Sequence, residues 1–376
     1  MITINIDLFF WNEEIVDEVL TDLDDDILLF DLAEGSRFDG AFPKVHDKLE
    51  DKNVWFLCSD LNIKDRYVNW CKDNGKPEVY KTLSLPFPAK IDVVHLIKQE
   101  KIDELNSLEK NKNFIQLTSD PKPYRIATLS KYYKNPNYEY SLTPQFHFTE
   151  DNKSSWILRV KEWLFEEFDV LSHTRTLTEV DGLSEEWIEE TKSYIGEKEL
   201  TNINNKLYDK DLFNNFHPKE CFQSNCSVVV ETYIEGPIFY TEKTWKEIFY
   251  QRPFILLGNK GSNSKLEELG FKLYDEIFDY SFDLIDDPKE RLSEFHKQID
   301  RYIDCDIKVF ADKLDSIKDK LIYNRTKYIN SIKDIEGKLE YTPYELGHYI
   351  FTSNTSDIKE YLPKPKFDII KNIARF

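Results

Sequence analysis

The sequence predicts an α/β protein with two doubly wound domains and a helical C-terminal segment. Apolar runs of strand length alternate with amphipathic stretches from Ile2 to Leu85, and the alternation returns between Asn113 and Tyr274. A chain of 376 residues is long for one core and comfortable for two. Beyond Pro288 the apolar spacing becomes helical almost throughout.

In chain order, Ile2–Phe10 is expected as a strand and Glu13–Leu23 as a helix with Ile15, Val16, Val19, Leu20 and Leu23 on one face. Ile27–Phe30 and Val54–Cys58 are short apolar runs of the kind buried in parallel sheets. Lys64–Asn74 reads as a helix ended by Gly75, and Val79–Leu85 as a further strand. In such a sheet ligands sit beyond the strands' carboxyl ends, which singles out Asp31, Glu34, Gly35, Ser59 and Asp60. Ile97–Lys112 reads as a charged helix leading into the second domain, so the expected boundaries are 1–112, 113–340 and 341–376.

The second domain opens with a strand over Phe114–Thr118 and a helix over Ile126–Tyr133, introduced by Lys122-Pro123-Tyr124-Arg125. Trp156–Phe168 is expected as an amphipathic helix, and 172–221 shows no assignable pattern. From Ser227 to Gly258 the chain reads as strand, helix, parallel strand. Ser227–Val230 ends in the polar pair Glu231-Thr232, and Thr241 caps a helix that buries Trp245, Ile248 and Phe249. Arg252 is expected in that helix's last turn, Pro253 stops it, and Phe254–Leu257 is the second strand. A loop at Asn259–Ser262 opens a helix over Leu266–Leu269 closed by Gly270, its amides around Gly261 available to a ligand, and Phe271–Tyr274 is expected to return as a strand. Leu314, Ile317, Leu321, Tyr328, Ile329 and Ile332 form a helical stripe that belongs to a core.

Composition narrows the function. A hydrophobic content of 40%, with 26 Phe, 21 Tyr and 7 Trp, supports sizeable cores and excludes a disordered chain. Fifty basic side chains against seventy acidic ones leave a net charge of −20, which repels nucleic acid and anionic membranes unless a basic patch is concentrated locally. There is no apolar run of membrane-spanning length, and MITINIDLFFWNEE carries acids where a secretion signal carries positive charge, so a cytoplasmic location is expected. Five cysteines, an odd number, fit reduced thiols. His217, Cys221 and Cys226 are spaced like zinc ligands but lack a fourth partner, so buried thiols are the preferred reading.

The first turn of a helix carries unpaired N–H groups and partial positive charge, which suit a phosphate. Lys243 adds a full cation at such a turn, while the carboxylate of Glu242 can accept hydrogen bonds from sugar hydroxyls. The plain alternative is that Thr241-Glu242-Lys243 is simply a good exposed helix opening. The Asp-x-Asp pairs Asp24/Asp26 and Asp304/Asp306 read as solvated surface rather than metal ligands.

The segment TEKTWKEIFYQRPFILLG, preceded by Glu231-Thr232, resembles the donor-site segment of fucosyltransferase-like and related phage or viral glycosyltransferases built from two Rossmann-like domains, the GT-B type. Lys122-Pro123-Tyr124-Arg125 is similar to the Pro-x-Arg helix start of the same families. The two matches cover Asn113–Arg125 and Ser227–Asp283, under a quarter of the chain. The resemblance implies transfer of a sugar from a nucleoside-diphosphate sugar to an acceptor hydroxyl, with inversion; because the Arg125 guanidinium and Lys243 at a helix start can neutralise a diphosphate as a divalent ion would, no metal or other cofactor is expected. It implies that Arg125, Lys243 and Lys122 hold the diphosphate and that Glu231, Thr232, Thr241 and Glu242 recognise nucleoside and sugar. Where the families carry Glu-Asn this chain has Glu231-Thr232, which leaves the donor open. It further implies that helices over Tyr344–Tyr361 return to the first domain.

Inversion needs a carboxylate to take the acceptor's proton. Asp60 is the first candidate, with Asp31 and Glu34 one strand earlier; ordinary loop acids are an equal alternative for all three. The acceptor can be a glycan, a small molecule or a hydroxymethylated DNA base, the last disfavoured by net charge. Two other classes stay open: a non-catalytic α/β module that binds a nucleotide or protein, and an interaction protein using its aromatic surface.

Overall fold

The structure, a computed structural model, describes residues 2–5, 16, 17, 20, 27–31, 42–84, 97, 99–118, 122–142, 217 and 219–336. Its described residues fall into two compact units: those within Met1–Asp92, Gly236–Thr241 and Asn330–Phe376, and those within Val93–Glu235 and Glu242–Ile329. Each is built on a parallel sheet. The expected helices at 156–168 and 344–361, the residues Asp24, Asp26, Glu34 and Gly35, and the side chains of Asp31 and Ile332 lie outside the described residues.

The first unit carries strands β1 (Ile2–Asn5), β2 (Ile27–Asp31), β3 (Val54–Cys58) and β4 (Lys81–Ser84), with helices α1 (Phe42–Leu49) and α2 (Ile63–Asn74). The strands lie in the order β1-β2-β3-β4, all parallel. Among the described strands this order never reverses. Ile27, Leu29, Val54, Phe56 and Cys58 are buried, as expected of apolar runs in a parallel sheet. Gly75 closes α2 in the left-handed region at φ 63°, bonding back to Cys71 and Lys72 carbonyls. Tyr67 ties the layer together: its hydroxyl accepts from the amides of Val79 and Tyr80 and pairs with His46 Nε2 at 3.1 Å.

The second unit contains α3 (Gln99–Asn106), β5 (Lys112–Thr118), α4 (Pro123–Tyr132), β6 (Tyr138–Leu142), α5 (Lys219–Phe222), β7 (Ser224–Val230), α6 (Glu242–Phe249), β8 (Phe254–Leu257), α7 (Ser262–Glu268), a 3-10 turn (Tyr280–Leu284), α8 (Pro288–Asp300), α9 (Ile307–Leu314), a second 3-10 turn (Asp315–Ile317) and, as far as Ile329, α10 (Lys318–Glu336). Its sheet runs β6-β5-β7-β8, all parallel. The chain therefore enters at the middle, steps outward from β5 to β6, then returns to β7 and steps outward the other way. The carboxyl ends of β5 and β7 flank the point where the winding reverses.

Several sequence expectations shift. Ile97–Lys112 is helical only over α3, and Lys112 already pairs in β5. The α4 helix begins earlier than expected, with Pro123 in its first turn. Phe271–Tyr274 is not a strand. The side chain of Asn324 bonds both the N–H and the C=O of Lys272, and Lys320 Nζ bonds Leu273 O, so α10 occupies the backbone groups a neighbouring strand would have used. Asp306 is a helix cap, accepting from the amides of Lys308 and Val309.

Polar side chains inside the second sheet are satisfied locally. Asn113 Nδ2 donates to the carbonyls of Tyr302, Ile303 and Cys305, and Asn225 Nδ2 donates to Asn113 Oδ1 and Ile307 O. Together they pin the turn before α9 to the amino end of β5 and β7. Asn113→Leu is expected to lower stability by about 2–3 kcal/mol, roughly one net hydrogen bond per carbonyl released, which denaturant titration would read.

His217 and His296 are buried, and burial before any neighbouring charge holds them neutral, with pKa values of about 4 and about 3. An unfolded histidine titrates near 6.5, so between that pH and the folded values the unfolded chain binds more protons. Stability is full above about pH 6.5 and falls as the pH drops, by about 1.4 kcal/mol per pH unit for each histidine. Equilibrium unfolding from pH 7 to 4 would show this, and His296→Gln is expected to flatten the slope.

Candidate functional site

The site is assembled at the carboxyl end of β7. From the strand side, Arg125 in the first turns of α4 reaches across: its Nε donates to Val230 O at 3.0 Å and its Nη2 approaches Thr232 Oγ1 at 3.5 Å. Beside it, the Tyr124 hydroxyl donates to Thr232 O. Glu231 lies between those two anchors, its amide bonded to Leu257 O of the next strand. Its carboxylate accepts from Thr244 Oγ1 at 2.5 Å, in the first turn of α6. Thus Arg125 and the start of α6, which carries Lys243, are gathered at one strand end, although more than a hundred positions separate them in sequence.

The two cations differ in setting. Arg125 is 1% exposed and held against the backbone of β7. Lys243 has a side chain 19% exposed, and its Nζ lies 2.9 Å from Glu242 Oε1. Burial opposes charge on Glu242, but Lys243 and Lys246 beside it outweigh that and bring its carboxyl to about 2. Lys122, just ahead of α4, sets its ammonium over the Tyr233 ring at 5.5 Å. Thr232 and Thr241 are buried.

The end of β8 closes against the same place. A Cβ on Gly258 would lie 2.6 Å from Ser262 Oγ and 4.0 Å from Glu231 Cγ, so the backbone there has no room for a side chain. The amides at the start of α7 are already taken. Asp283 accepts from the amides of Asn263 and Ser264, and its carbonyl accepts from Gly261 N. The loop after β8 is therefore capped from within the protein, contrary to the expectation that its amides are available to a ligand.

Beneath α6 is a buried ionic cluster that sequence reasoning missed. Arg252 lies past the helix rather than in its last turn: Gln251 takes the left-handed conformation at φ 55°, and Arg252 N bonds Glu247 O. The guanidinium then turns under β7, pairing with Glu247 Oε2 at 3.2 Å and reaching Ser224 O and Ser227 Oγ. His217 Nε2 lies 3.1 Å from the other Glu247 oxygen. Burial works against the Glu247 charge, yet His217 and Arg252 keep its carboxyl below the usual range. Lys246, also buried, is pushed down chiefly by burial. A charged i, i+5 pair gives no periodic signal, because it spans the helix end.

The thiols agree with the sequence reading. All five cysteines are free, and burial pushes Cys221 and Cys226 far above the usual thiol range, so both stay protonated. Among the described residues the group with metal-ligand proximity is His46, Asp47 and Glu50, where Lys76 Nζ already sits 2.5 Å from Asp47 Oδ1.

In the first unit the described residues among those singled out, Asp31, Ser59 and Asp60, stand at one sheet edge. Asp31, Cys58 and Ser84 are aligned in register at the carboxyl ends of β2, β3 and β4. Asp60 follows, fully buried. Its carboxylate accepts from Asn62 N at 2.8 Å and pairs with Arg66 Nη1 at 2.5 Å, while its carbonyl accepts from Ser84 Oγ. The amide of Leu61 bonds Ile238 O, bringing Gly236–Thr241 onto this edge. A carboxylate so engaged organises the start of α2, and serving as a base requires it to release Arg66. Arg66→Leu and Asp60→Asn are each expected to cost about 1–3 kcal/mol through the lost charged bond. A base at Asp60 would be revealed by turnover surviving in the first variant and vanishing in the second.

No family model matches the chain, and no curated protein matches it. Among solved structures, the chain is similar to the crystal structure of α,α-trehalose 6-phosphate synthase from Burkholderia multivorans, at 9% identity and a TM-score of 0.35, over 85% of this chain and 72% of that one. Among the described residues no helix is long and apolar enough to cross a membrane.

Proposed function

We propose that this chain is a glycosyltransferase that moves a sugar from a nucleoside-diphosphate sugar to an acceptor hydroxyl, with the donor seated where the second sheet reverses its winding. The observation that carries the reading is the gathering of Arg125, Lys122 and Lys243 around the carboxyl end of β7, beside that reversal. Open parallel sheets bind ligands at this kind of point because the loops diverge there and helix starts turn their positive ends toward the gap.

In the proposed reaction the acceptor oxygen attacks the anomeric carbon on the face opposite the diphosphate. The carbon–oxygen bond to the diphosphate breaks, and its electron pair leaves with the phosphate. Lys243 and Lys122 meet that growing charge, while Arg125 fixes the strand end and adds positive potential behind them. In this scheme the cations do the work a divalent ion would otherwise do. Glu242, ionised throughout the neutral range, accepts from donor hydroxyls with Glu231, Thr232 and Thr241 nearby. The acceptor's proton goes to a carboxylate, with Asp60, Asp31 and Glu34 as the candidates. The acceptor is a glycan or a small molecule in preference to modified DNA, on grounds of charge.

The burial of Arg125 and the engagement of Asp60 favour a second reading, a nucleotide-binding module without turnover. Thermal-shift measurements with UDP, GDP and dTDP are expected to show stabilisation by one of them. Lys243→Ala is expected to weaken that nucleotide's affinity by about tenfold or more, the size of one charge-assisted contact. Hydrolysis of the matching nucleotide sugar by the wild type supports the enzyme; binding without hydrolysis or transfer supports the module.

A further inference from the structure

We infer that Arg291 is the positioning residue of the proposed donor site, fixing the loop Thr232–Glu235 that leaves β7; the inference rests on the functional reading above. Arg291 lies in the first turns of α8 and is 1% exposed. Its Nη2 donates to the carbonyl of Ile234, and its Nη1 donates to the carbonyls of Ile285 and Asp286. One planar fork thus ties the loop after β7 to the segment between the 3-10 turn and α8. Burial opposes its charge, and the acids around it, Asp283, Glu235, Asp287 and Asp286, favour it.

The consequence for the site runs through neighbouring residues. Ile234, itself buried, follows Tyr233, whose ring lies under the Lys122 ammonium. Tyr233 follows Thr232, which receives Tyr124 and Arg125. Releasing the Ile234 carbonyl frees the far end of a loop whose near end holds three of the proposed donor-binding side chains. The same 283–291 segment supplies Asp283, which caps α7 after β8. Both loops bordering the site are therefore held from one stretch, and Arg291 is its link to the first of them.

Lysine at this position keeps the charge but offers a single ammonium that cannot span both sets of carbonyls. The test uses the full chain, wild type and Arg291→Lys, with glutamyl endopeptidase cleavage after Glu235 followed by mass spectrometry and calorimetric titration with UDP, GDP and dTDP. Cleavage after Glu235 is expected to be slow in the wild type and about tenfold faster or more in the variant, with other sites unchanged. The affinity for the bound nucleotide is expected to fall by about tenfold or more. Unaltered cleavage in a folded variant overturns the inference, as does faster cleavage with unaltered affinity. If the variant does not fold, wild-type cleavage decides: a Glu235 site cut as fast as the most accessible sites overturns the inference, and a resistant one supports it. A wild type that binds none of the three nucleotides overturns the functional reading instead, and the cleavage rates then judge the loop anchor alone.

Discussion

Two parallel strands end at the same edge of a sheet, and the second unit is arranged around that constraint at β5 and β7. Because β5 turns outward to β6 and β7 turns outward to β8, the segments that follow the two central strands leave in opposite directions. The space between them must be lined by what comes next in the chain, which is the start of α4 on one side and the loop to α6 on the other. Arg125 spans that space by bonding Val230 O, and Glu231 answers by holding Thr244. Each bond has one ionised partner and is of the stronger, charge-assisted kind. Their joint effect is to set the separation of two helix starts, on which the proposed donor site rests.

The elements legible in the sequence are those whose burial is symmetrical. Val228–Val230 and Phe254–Leu257 are apolar on both faces because both faces of a parallel sheet are covered, so a continuous apolar run is enough to find them. The amino end of β7 was hidden for the opposite reason. Ser224 and Asn225 are polar and buried, satisfied by Glu220 O, Asn113 and Ile307 O, none of which a local pattern reveals. Phe271–Tyr274 has the composition of a strand but meets helix side chains instead of a neighbouring strand. Pattern reports what a segment can bury, and its partner decides what the segment becomes.

At the site the division is similar. Lys243, Arg125 and Glu231 stand at element ends, where helix-start and strand-end chemistry make them readable. Arg291, Arg252, Glu247 and Lys246 look like surface charges in sequence, since charged residues are rarely buried and their partners lie elsewhere in the chain. Burying so many charges is costly unless each is paired, and here each pairing ties one element to another. The second unit thus spends its polar interior on fixing the backbone from which the candidate donor-binding side chains project.

The turn pinned by Asn113 has one more use. Of the five thiols, four are buried, and Cys305, whose backbone carbonyl Asn113 holds, is half-exposed. A thiol-directed fluorophore or spin label would therefore attach at one point on the intact molecule, on a segment anchored to the amino edge of the second sheet and remote from the strand ends where ligand is expected. The native chain carries a built-in reporter position, and no engineered cysteine is needed to follow its motions.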